Sequence, residues 1–450
     1  MGFLRNINLQ IFASFLLLIF TGSVTLFFFG WEKESEGMWI KSLFTGASAV
    51  CVTGLTIADI SRELNFTGQI ILLVLIQLGG LGLLTLSNFF ILAYKKNLTF
   101  HGFATTNESF GKLARVHPFQ LLKLIILFTL ICEVTGALLL FSRFIVNHPL
   151  NEALWLAIFH SVSAFCNAGF SLFSNNLENY KNDTLLDFTI MILIIMGGLG
   201  FVVVIDIIET IKVRMKGLRR RVSLQTRSVI ITSFLLVLTG TVVTLLFEWN
   251  NSLESEPIYY KFLNSLFLSV TARTAGFNTF PVQNLHVVTA FFTIILMIIG
   301  ASSGSTGGGV KTNTITILFA TIHSFIRNSR TTHIFNYHLP IPVITKMITI
   351  LALYFLAMIT GVALIATFEQ SGELGKTGNF FLTIFFETVS ALSTVGLSMG
   401  ITSKLTQPSQ MTLVTLMIIG RVGLLIIIGG LQIKKEPYFM KYPNGEIMAG

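Results

Sequence analysis

Charged residues are scarce in this chain, and their scarcity excludes an ordinary soluble domain. Asp, Glu, Lys and Arg make up 11% of the 450 residues, whereas 53% are hydrophobic. A soluble domain carries about 25% charged residues, because its surface faces water. Apolar blocks at 70–94, 124–141 and 185–211 approach the length of roughly 20 residues with which a helix crosses a bilayer. The chain is therefore predicted to be a polytopic membrane protein.

Cysteine is also rare, with Cys51, Cys132 and Cys166 scattered through apolar sequence. This spacing excludes a disulfide framework and a cysteine metal cluster. The first apolar block, 7–29, is longer than the apolar region of a signal peptide and lacks an A-x-A cleavage site, so a retained helix is predicted. The basic residues lie between apolar blocks, which is typical of cytoplasmic loops, and nucleic-acid binding is not predicted.

A repeated motif divides the chain into four parts. Four segments align on one glycine, at 48–56 (SAVCVTGLT), 163–171 (SAFCNAGFS), 270–278 (VTARTAGFN) and 390–398 (SALSTVGLS). The aligned glycines are Gly54, Gly169, Gly276 and Gly396. A second cluster of small residues follows each of them, at 79–82, 197–200, 300–304 and 420–423. Two markers that recur in step indicate a tandem repeat.

Each repeat has a short apolar stretch between two longer ones, at 37–51, 152–166, 257–273 and 379–393. These stretches are too short to cross the bilayer and are predicted to be re-entrant pore helices. The predicted fold is an all-α polytopic membrane protein of four membrane-pore-membrane repeats, with eight spanning and four re-entrant helices around one pseudo-four-fold pore. The repeats are assigned to 1–97, 118–216, 225–328 with a broken second helix, and 340–434, followed by a tail at 435–450.

The charge distribution predicts the orientation. Nineteen of the 30 basic residues lie at the termini and between repeats, whereas eight lie in the links within repeats, beside an acidic majority. Short cytoplasmic loops carry the excess of Lys and Arg. Both termini are therefore predicted to be cytoplasmic, and the glycine motifs are predicted to enter the membrane from outside.

The residues that lead up to each aligned glycine are predicted to form a cation filter. A ring of backbone carbonyls can replace the hydration shell of an ion, and glycine allows the main chain to come close to it. The alternative is that these glycines only permit close helix packing. The candidate ion-binding residues are Val52, Thr53, Gly54, Asn167, Ala168, Gly169, Thr274, Ala275, Gly276, Thr394, Val395 and Gly396.

These motifs resemble those of the Trk/Ktr/HKT superfamily of potassium and sodium transporters, most closely the KtrB-type membrane subunit of bacterial Ktr systems. The resemblance covers nearly the whole chain, from Asn8 to YPNGEIMAG at 442–450. It implies potassium uptake, with K+ at the filter residues and no covalently bound cofactor. Relatives that prefer sodium often have serine in place of the first filter glycine. Gly54 therefore implies potassium, while Na+ permeation or coupling stays open.

The same resemblance implies a homodimer in the bacterial inner membrane, regulated by a cytosolic ring of nucleotide-binding, RCK-type subunits. The basic stretch 212–227 is a candidate docking site for that ring, and anionic lipid is an equally simple explanation.

A gate is predicted where glycine, serine and threonine interrupt the second helix of repeat 3, because each glycine costs a helix about 1 kcal/mol. In the resembling family this segment is the gating loop below the filter; a passive kink is the alternative. A phosphate-binding loop is excluded, because Val310 separates the glycine from the lysine and no strand precedes it. The gate residues are Gly300, Ala301, Ser302, Ser303, Gly304, Ser305, Thr306, Gly307, Gly308, Gly309, Val310 and Lys311.

Arg421 is predicted to act as a barrier in the pore, because a charge in mid-helix is costly and usually functional. The resemblance implies an arginine here that faces the pore near the gate. A structural salt bridge with Glu387 is the alternative. Glu133 and Asp206 are left without a role, since single carboxylates support no proton relay.

Two other classes of protein are weighed against a pore. A membrane-embedded enzyme needs clustered catalytic side chains or a metal motif such as H-E-x-x-H, and the sequence has neither. A proton-coupled carrier favours inverted repeats and intramembrane carboxylates, whereas these repeats are parallel. No enzymatic activity is predicted.

Overall fold

The computed structural model describes residues 7–32, 37–94, 118–329, 331–372, 375 and 378–423 of the chain. The regular secondary structure of this part of the chain is helical, apart from a two-stranded hairpin, β1 (His333–Ile334) and β2 (Tyr337–His338). The predicted tail at 435–450 lies outside the described residues.

The first half of the described chain contains eight α-helices. They are α1 (Ile7–Phe29), α2 (Met38–Val50), α3 (Ile60–Glu63), α4 (Phe66–Tyr94), α5 (Pro118–Phe144), α6 (Leu150–Phe165), α7 (Thr184–Leu199) and α8 (Phe201–Met215).

The second half of the described chain adds seven more. They are α9 (Leu224–Glu248), α10 (Ile258–Thr271), α11 (Val287–Ile298), α12 (Thr312–Ile326), α13 (Ile341–Glu369), α14 (Phe380–Leu392) and α15 (Gln407–Val422).

Four of the described helices are long and apolar enough to cross a membrane, namely α1, α5, α9 and α13. The bent pair α7 and α8 brings the number to five if it is taken as one span. The outer faces of these helices are apolar, as in Phe28, whose exposed fraction is 69%, and Leu246, also 69%. Side chains of this kind are stable when they face lipid.

The four helices that precede the glycine motifs are short. They are α2, α6, α10 and α14, with 13, 16, 14 and 13 residues. Each lies within three residues of the stretch that the sequence predicts. Two of them, α6 and α10, begin directly after Pro149 and Pro257, where the fixed φ of proline suits a helix start. All four end two or three residues before the first residue of a predicted filter segment, so these segments lie at the carboxyl ends of the short helices.

The apolar block 185–211 does not form one helix. It is divided at Gly200 into α7 and α8, which are bent by 96°. The sequence predicts a break only in the second helix of repeat 3, and that part of the prediction is wrong. Gly200 adopts a φ of 87°, and a Cβ atom there would lie 2.6 Å from Ser302 Oγ. The break therefore depends on a segment 100 residues away, which a local sequence pattern does not reveal.

The helices pack in four groups that close into a ring. Within three groups, every helix contacts the other two: α1 with α2 and α4, α5 with α6 and α7, and α13 with α14 and α15. In the remaining group, α9 contacts α10, α11 and α12. Between groups, α4 contacts α6, α7 contacts α10, α11 contacts α14, and α15 contacts α2. The helices α4, α7, α11 and α15, which follow the glycine motifs, thus each pack against the short helix of the next group.

Candidate functional site

The four glycine motifs meet at the centre of the ring. A Cβ atom added to Gly54 would lie 2.4 Å from the carbonyl oxygen of Ala168, in the next motif. The corresponding separations are 2.6 Å from Gly169 to Ala275, 2.5 Å from Gly276 to Val395, and 2.1 Å from Gly396 to Thr53. Each glycine therefore touches the carbonyl of its neighbour around a closed circle. No residue with a Cβ fits at these four positions without displacing main chain.

The main chain of each motif has the same unusual conformation. The four glycines have φ values of 92°, 67°, 78° and 93°. Two positions before each glycine, Val52, Asn167, Thr274 and Thr394 also have positive φ, between 52° and 73°. Each such non-glycine residue costs of order 1–3 kcal/mol, and strained backbone of this kind occurs at ligand sites. Four strained residues in register indicate a shared function for the ring.

The short helices bind the amide groups of the motifs and leave the carbonyls free. Thr53, Ala168 and Val395 each donate their N–H, at 2.8 Å, to a carbonyl in the last turn of the preceding helix. The N–H groups of Gly54 and Gly396 donate at 3.1 Å to Ser48 Oγ and Ser390 Oγ. Of the twelve carbonyls in the four motifs, the only one that accepts a hydrogen bond from a described residue is that of Gly276, from Asn176 at 3.4 Å.

Two buried side chains, Glu387 and His160, contact residues that follow the glycine motifs. Glu387 in α14 accepts hydrogen bonds from Ser398 Oγ, from the Met399 N–H at 3.0 Å and from Thr402 Oγ1 at 3.0 Å. His160 in α6 lies 3.0 Å from Ser171 Oγ through its Nε2.

His160 and Glu387 occupy equivalent positions in their repeats. Each lies nine residues before its filter glycine, and each serine partner lies two residues after it. His160 was not predicted from the sequence. Comparison of the aligned motifs could have found it, because His160 and Glu387 are the two titratable residues at this position.

The segment 300–311 folds into a loop directly against the ring. Cβ atoms added to Gly307 and Gly308 would lie 2.1 and 2.2 Å from the Oγ1 atoms of Thr274 and Thr394. The loop closes on itself through hydrogen bonds from Gly300 to Val310 (3.0 Å) and from Lys311 Nζ to the Gly307 carbonyl (2.7 Å). All twelve residues of the predicted gate are therefore close together at one end of the filter.

The same loop satisfies the polar groups that the break in α7 and α8 leaves free. Ser302 and Thr306 donate their N–H groups to the carbonyls of Gly198 (3.1 Å) and Gly197 (3.2 Å). In return, the Phe201 N–H donates to the Gly304 carbonyl at 3.0 Å. Backbone breaks at membrane depth are tolerated when protein satisfies their hydrogen bonds. The loop and the bend are thus one hydrogen-bonded unit.

Arg421 contacts the loop and not Glu387. Its guanidinium donates to the carbonyl oxygens of Thr306, in the loop, and Gly79, in α4. Glu387 is fully occupied by the residues behind the filter. The salt bridge that the sequence left open is therefore wrong, because the two side chains serve different segments.

Comparison with known proteins identifies the family of the chain. A family model described as TrkH, cation transport protein, matches residues 4–436. The chain belongs to the TrkH family. Proteins of this family transport cations, and the family is not one of enzymes. The TrkH-family chain is consequently a multi-pass membrane protein, in agreement with its apolar helices.

Individual relatives cover nearly the same length. The chain is 34% identical to Ktr system potassium uptake protein B of Vibrio alginolyticus, over 91% of this chain and 88% of that protein. It is 33% identical to the potassium/sodium uptake protein NtpJ of Enterococcus hirae, over 97% and 95%. The crystal structure of the potassium transporter TrkH from Vibrio parahaemolyticus has a TM-score of 0.69 and 18% identity, covering 94% of this chain and 83% of that one. That likeness shows a shared fold.

On the other side of the ring from the loop, two clefts of about 320 and 410 Å³ open above the filter glycines of this TrkH-family chain. Acidic residues line them, including Asp59, Glu63 and Glu178. Burial acts to raise the pKa of Asp59, but hydrogen bonds from Ser61 and Ser174 outweigh it and hold that pKa below its usual value. Burial raises the pKa of Glu178. The ionised Asp59 makes this entrance favourable to cations.

Two other buried acids, Asp206 and Glu133, do not join the ring. Asp206 in α8 accepts from Thr226 Oγ1 (2.6 Å), Ser223 N–H (2.8 Å) and Arg220 (3.2 Å), so it fixes the turn between α8 and α9. Glu133 in α5 accepts from Gln77 at 3.3 Å. Asp206 therefore has a structural role that the sequence did not assign.

Proposed function

We propose that the chain carries potassium ions across the membrane through the ring of backbone carbonyls. The observation that carries this proposal is that eleven of the twelve filter carbonyls accept no hydrogen bond from any described residue. Buried carbonyls nearly always have a partner, and a dehydrated cation is a partner that fits a ring of them. The ion-binding residues proposed are those of the four motifs. Two relatives are named potassium uptake proteins, which supports potassium as the ion.

Sodium is the second candidate, either as a permeating ion or as a coupling ion. The relative from Enterococcus hirae is named a potassium/sodium uptake protein, and it is 33% identical to this chain. Glycine at position 54, where the superfamily members that prefer sodium often have serine, and glycine at the aligned position of the other three motifs favour potassium as the principal ion.

The proposed architecture is four membrane-pore-membrane repeats around one pore, at 1–97, 118–216, 225–328 and 340–434. Its support is the closed order of contacts, in which each group of helices touches the next and the last touches the first. The excess of basic residues between repeats supports cytoplasmic termini in a bacterial inner membrane.

We assign the gate to the loop 300–311 and the barrier to Arg421. The loop lies against Thr274 and Thr394, so an ion that leaves the filter meets Gly307 and Gly308 first. Arg421 holds the loop through the Thr306 carbonyl and adds a positive charge beside it. A cation passes only when the loop moves, which requires the Arg421 contact to break.

We further propose that the chain works as a homodimer with a cytosolic, nucleotide-binding regulatory ring. The relative from Vibrio alginolyticus is named as one protein of a Ktr system, which supports separate components. The ring would act on α12, which follows the loop, and on α8, whose Phe201 N–H donates to the Gly304 carbonyl of the loop.

Transport by the purified chain tests the central proposal. The chain is reconstituted into proteoliposomes, and uptake of rubidium, as a tracer for potassium, and of sodium is measured separately under an imposed voltage. We expect rubidium uptake above that of protein-free vesicles without a proton gradient, and slower sodium uptake. Uptake that requires a proton gradient would favour a proton-coupled carrier. Uptake of neither ion, by the parent chain and by a variant that lacks Gly307, Gly308 and Gly309 of the proposed gate, would contradict the proposal.

A further inference from the structure

An apolar groove lies on the outer surface of the molecule, away from the filter, between α5 and α8. Its volume is about 240 Å³. It exists because the chain bends by 96° at Gly200, so that α8 leaves the line of α7 and lies across α5. The walls include Leu124, Leu127 and Ile131 of α5 and Val204, Ile205 and Ile208 of α8.

The groove residues follow helical spacing on both walls. Leu124, Leu127 and Ile131 stand one helical turn apart, and their exposed fractions are 45%, 51% and 54%. Val204 and Ile208 have the same spacing on α8, where Ile208 is 39% exposed. Residues three and four apart share one face of a helix. Two apolar faces thus form a trough that is open to the hydrocarbon of the bilayer.

One end of the groove is positively charged. Lys123 lies four residues before Leu127, and Lys212 lies four residues after Ile208, so each lysine is on the same face as the apolar wall of its helix. Both are exposed, and neither forms an ion pair with another described residue. The nearby Glu209 is paired with Arg220 at 2.7 Å, which neutralises the carboxylate at this end.

We propose that this groove binds an anionic phospholipid. One acyl chain lies between α5 and α8, and the phosphate is held by Lys123 and Lys212. Basic pockets between membrane helices at the cytoplasmic side are suited to anionic headgroups, whereas a zwitterionic headgroup gains little there. Lys212 lines the groove together with the apolar residues, and Lys123 directly precedes Leu124 of the opposite wall, which matches a molecule with an apolar tail and an anionic head.

The bound lipid would also brace the bend. Phe201, the first residue of α8, lines the groove with its side chain and donates its N–H to Gly304 of the loop. A lipid that fills the groove therefore opposes movement of α8 and, through that hydrogen bond, movement of the loop. This consequence for gating rests on the proposed function, whereas lipid binding does not.

Native mass spectrometry of the purified full chain tests the site. The protein is delipidated and titrated with palmitoyl-oleoyl phosphatidylglycerol or with the phosphatidylcholine that has the same chains. We expect one phosphatidylglycerol to bind at least tenfold more tightly than phosphatidylcholine. Lys212→Glu should remove this preference, and Leu127→Trp, which fills the groove, should weaken binding of both lipids. Lys346→Glu, an exposed lysine on α13, should leave the preference intact.

Three results would overturn the proposal. The first is equal binding of the two lipids. The second is an equal loss of the preference for phosphatidylglycerol in Lys212→Glu and Lys346→Glu. The third is that Leu127→Trp changes dimerisation but not lipid binding, which would show that a second copy of the chain covers the groove. Size-exclusion profiles like that of the parent exclude misfolding of the variants. Because the readout is mass, failure of ion transport would not affect the result. Proteoliposome flux with and without phosphatidylglycerol then tests the effect on gating separately.

Discussion

At the scale of single residues, each proposed filter glycine has both a positive φ and no space for a Cβ atom. Gly54 has a φ of 92° and also lies against the main chain of the neighbouring motif. Gly37 has a similar φ of 75°, but a Cβ atom there would have nothing within 4 Å. A substitution at Gly37 therefore introduces backbone strain alone, whereas the same substitution at Gly54 also introduces a clash with the neighbouring motif.

We expect Gly54→Ser to lower the preference for potassium over sodium by about tenfold, which corresponds to roughly 1.4 kcal/mol. The added Cβ displaces the Ala168 carbonyl by pushing against it at 2.4 Å. Rubidium and sodium uptake by proteoliposomes measure the ratio. Gly37→Ser is the matched control and should keep the parental ratio. An unchanged ratio in Gly54→Ser would show that this segment is not the filter.

Glu387 supports the segment that follows one of the proposed filter glycines. Its carboxylate ties together Ser398, Met399 and Thr402, the residues that follow Gly396. Glu369, in the same group of helices, is equally buried but binds Thr406 at the start of α15, through its N–H (2.8 Å) and hydroxyl (2.6 Å).

We expect Glu387→Ala and Glu369→Ala both to reduce thermal stability, because each leaves buried donors unpaired at about 1–3 kcal/mol. Only Glu387→Ala should also lower the selectivity ratio for potassium. Glu387→Gln keeps one oxygen acceptor and should restore part of that ratio. If the two alanine variants changed stability alike and left the ratio intact, Glu387 would be a packing residue only.

At the scale of elements, the loop 300–311 and the break at Gly200 depend on one another. The loop supplies N–H groups to the carbonyls of Gly197 and Gly198, and α8 supplies the N–H of Phe201 to the loop. Opening of the proposed gate would therefore break the hydrogen bonds of the bend as well. Because the flanking helices α11 and α12 are continuous, we expect such a movement to be confined to the break and its partners.

We expect deletion of Gly307, Gly308 and Gly309 to raise ion flux several-fold and to make it independent of the regulatory subunits. These glycines lie against Thr274 and Thr394, so their removal clears the exit of the filter. The rate of rubidium uptake measures the effect. The potassium to sodium ratio serves as the internal control, since an intact filter keeps it unchanged. A well-expressed deletion variant with parental flux would show that the loop is a passive kink.

At the scale of the whole molecule, the ring depends on contacts between groups as well as within them. The contact of α15 with α2 joins the last group to the first, across more than 350 residues of chain. Arg421 adds a second link of this kind, because its guanidinium binds Gly79 of α4. The single-chain ring therefore closes only when both halves are folded.

The orientation of this ring is open to a direct test. Gly378, in the link before α14, and Gly217, between α8 and α9, both have room for a side chain. We expect Gly378→Cys to react with a membrane-impermeant maleimide in intact cells, and Gly217→Cys to react only after the membrane is permeabilised. The Cys132→Ser background removes the one partly exposed cysteine among those described. The opposite labelling pattern would contradict cytoplasmic termini.

The sequence by itself determined the membrane environment, the bounds of α1, the short helices and the position of the four glycine motifs. These follow from local properties, because apolar length, helical spacing and a recurrent glycine are visible within a few residues. The match of the predicted block 7–29 to α1 shows how far such local properties extend.

Only the tertiary structure decided which distant groups meet. The bend at Gly200 requires Ser302 and Gly304 as hydrogen-bonding partners. Arg421 donates to the Thr306 and Gly79 carbonyls and does not pair with Glu387. In a medium without water, a buried polar group takes the partner that the packing brings within reach. That choice is set by the closure of the ring, which brings together residues from all four groups and is not encoded in any local stretch of the chain.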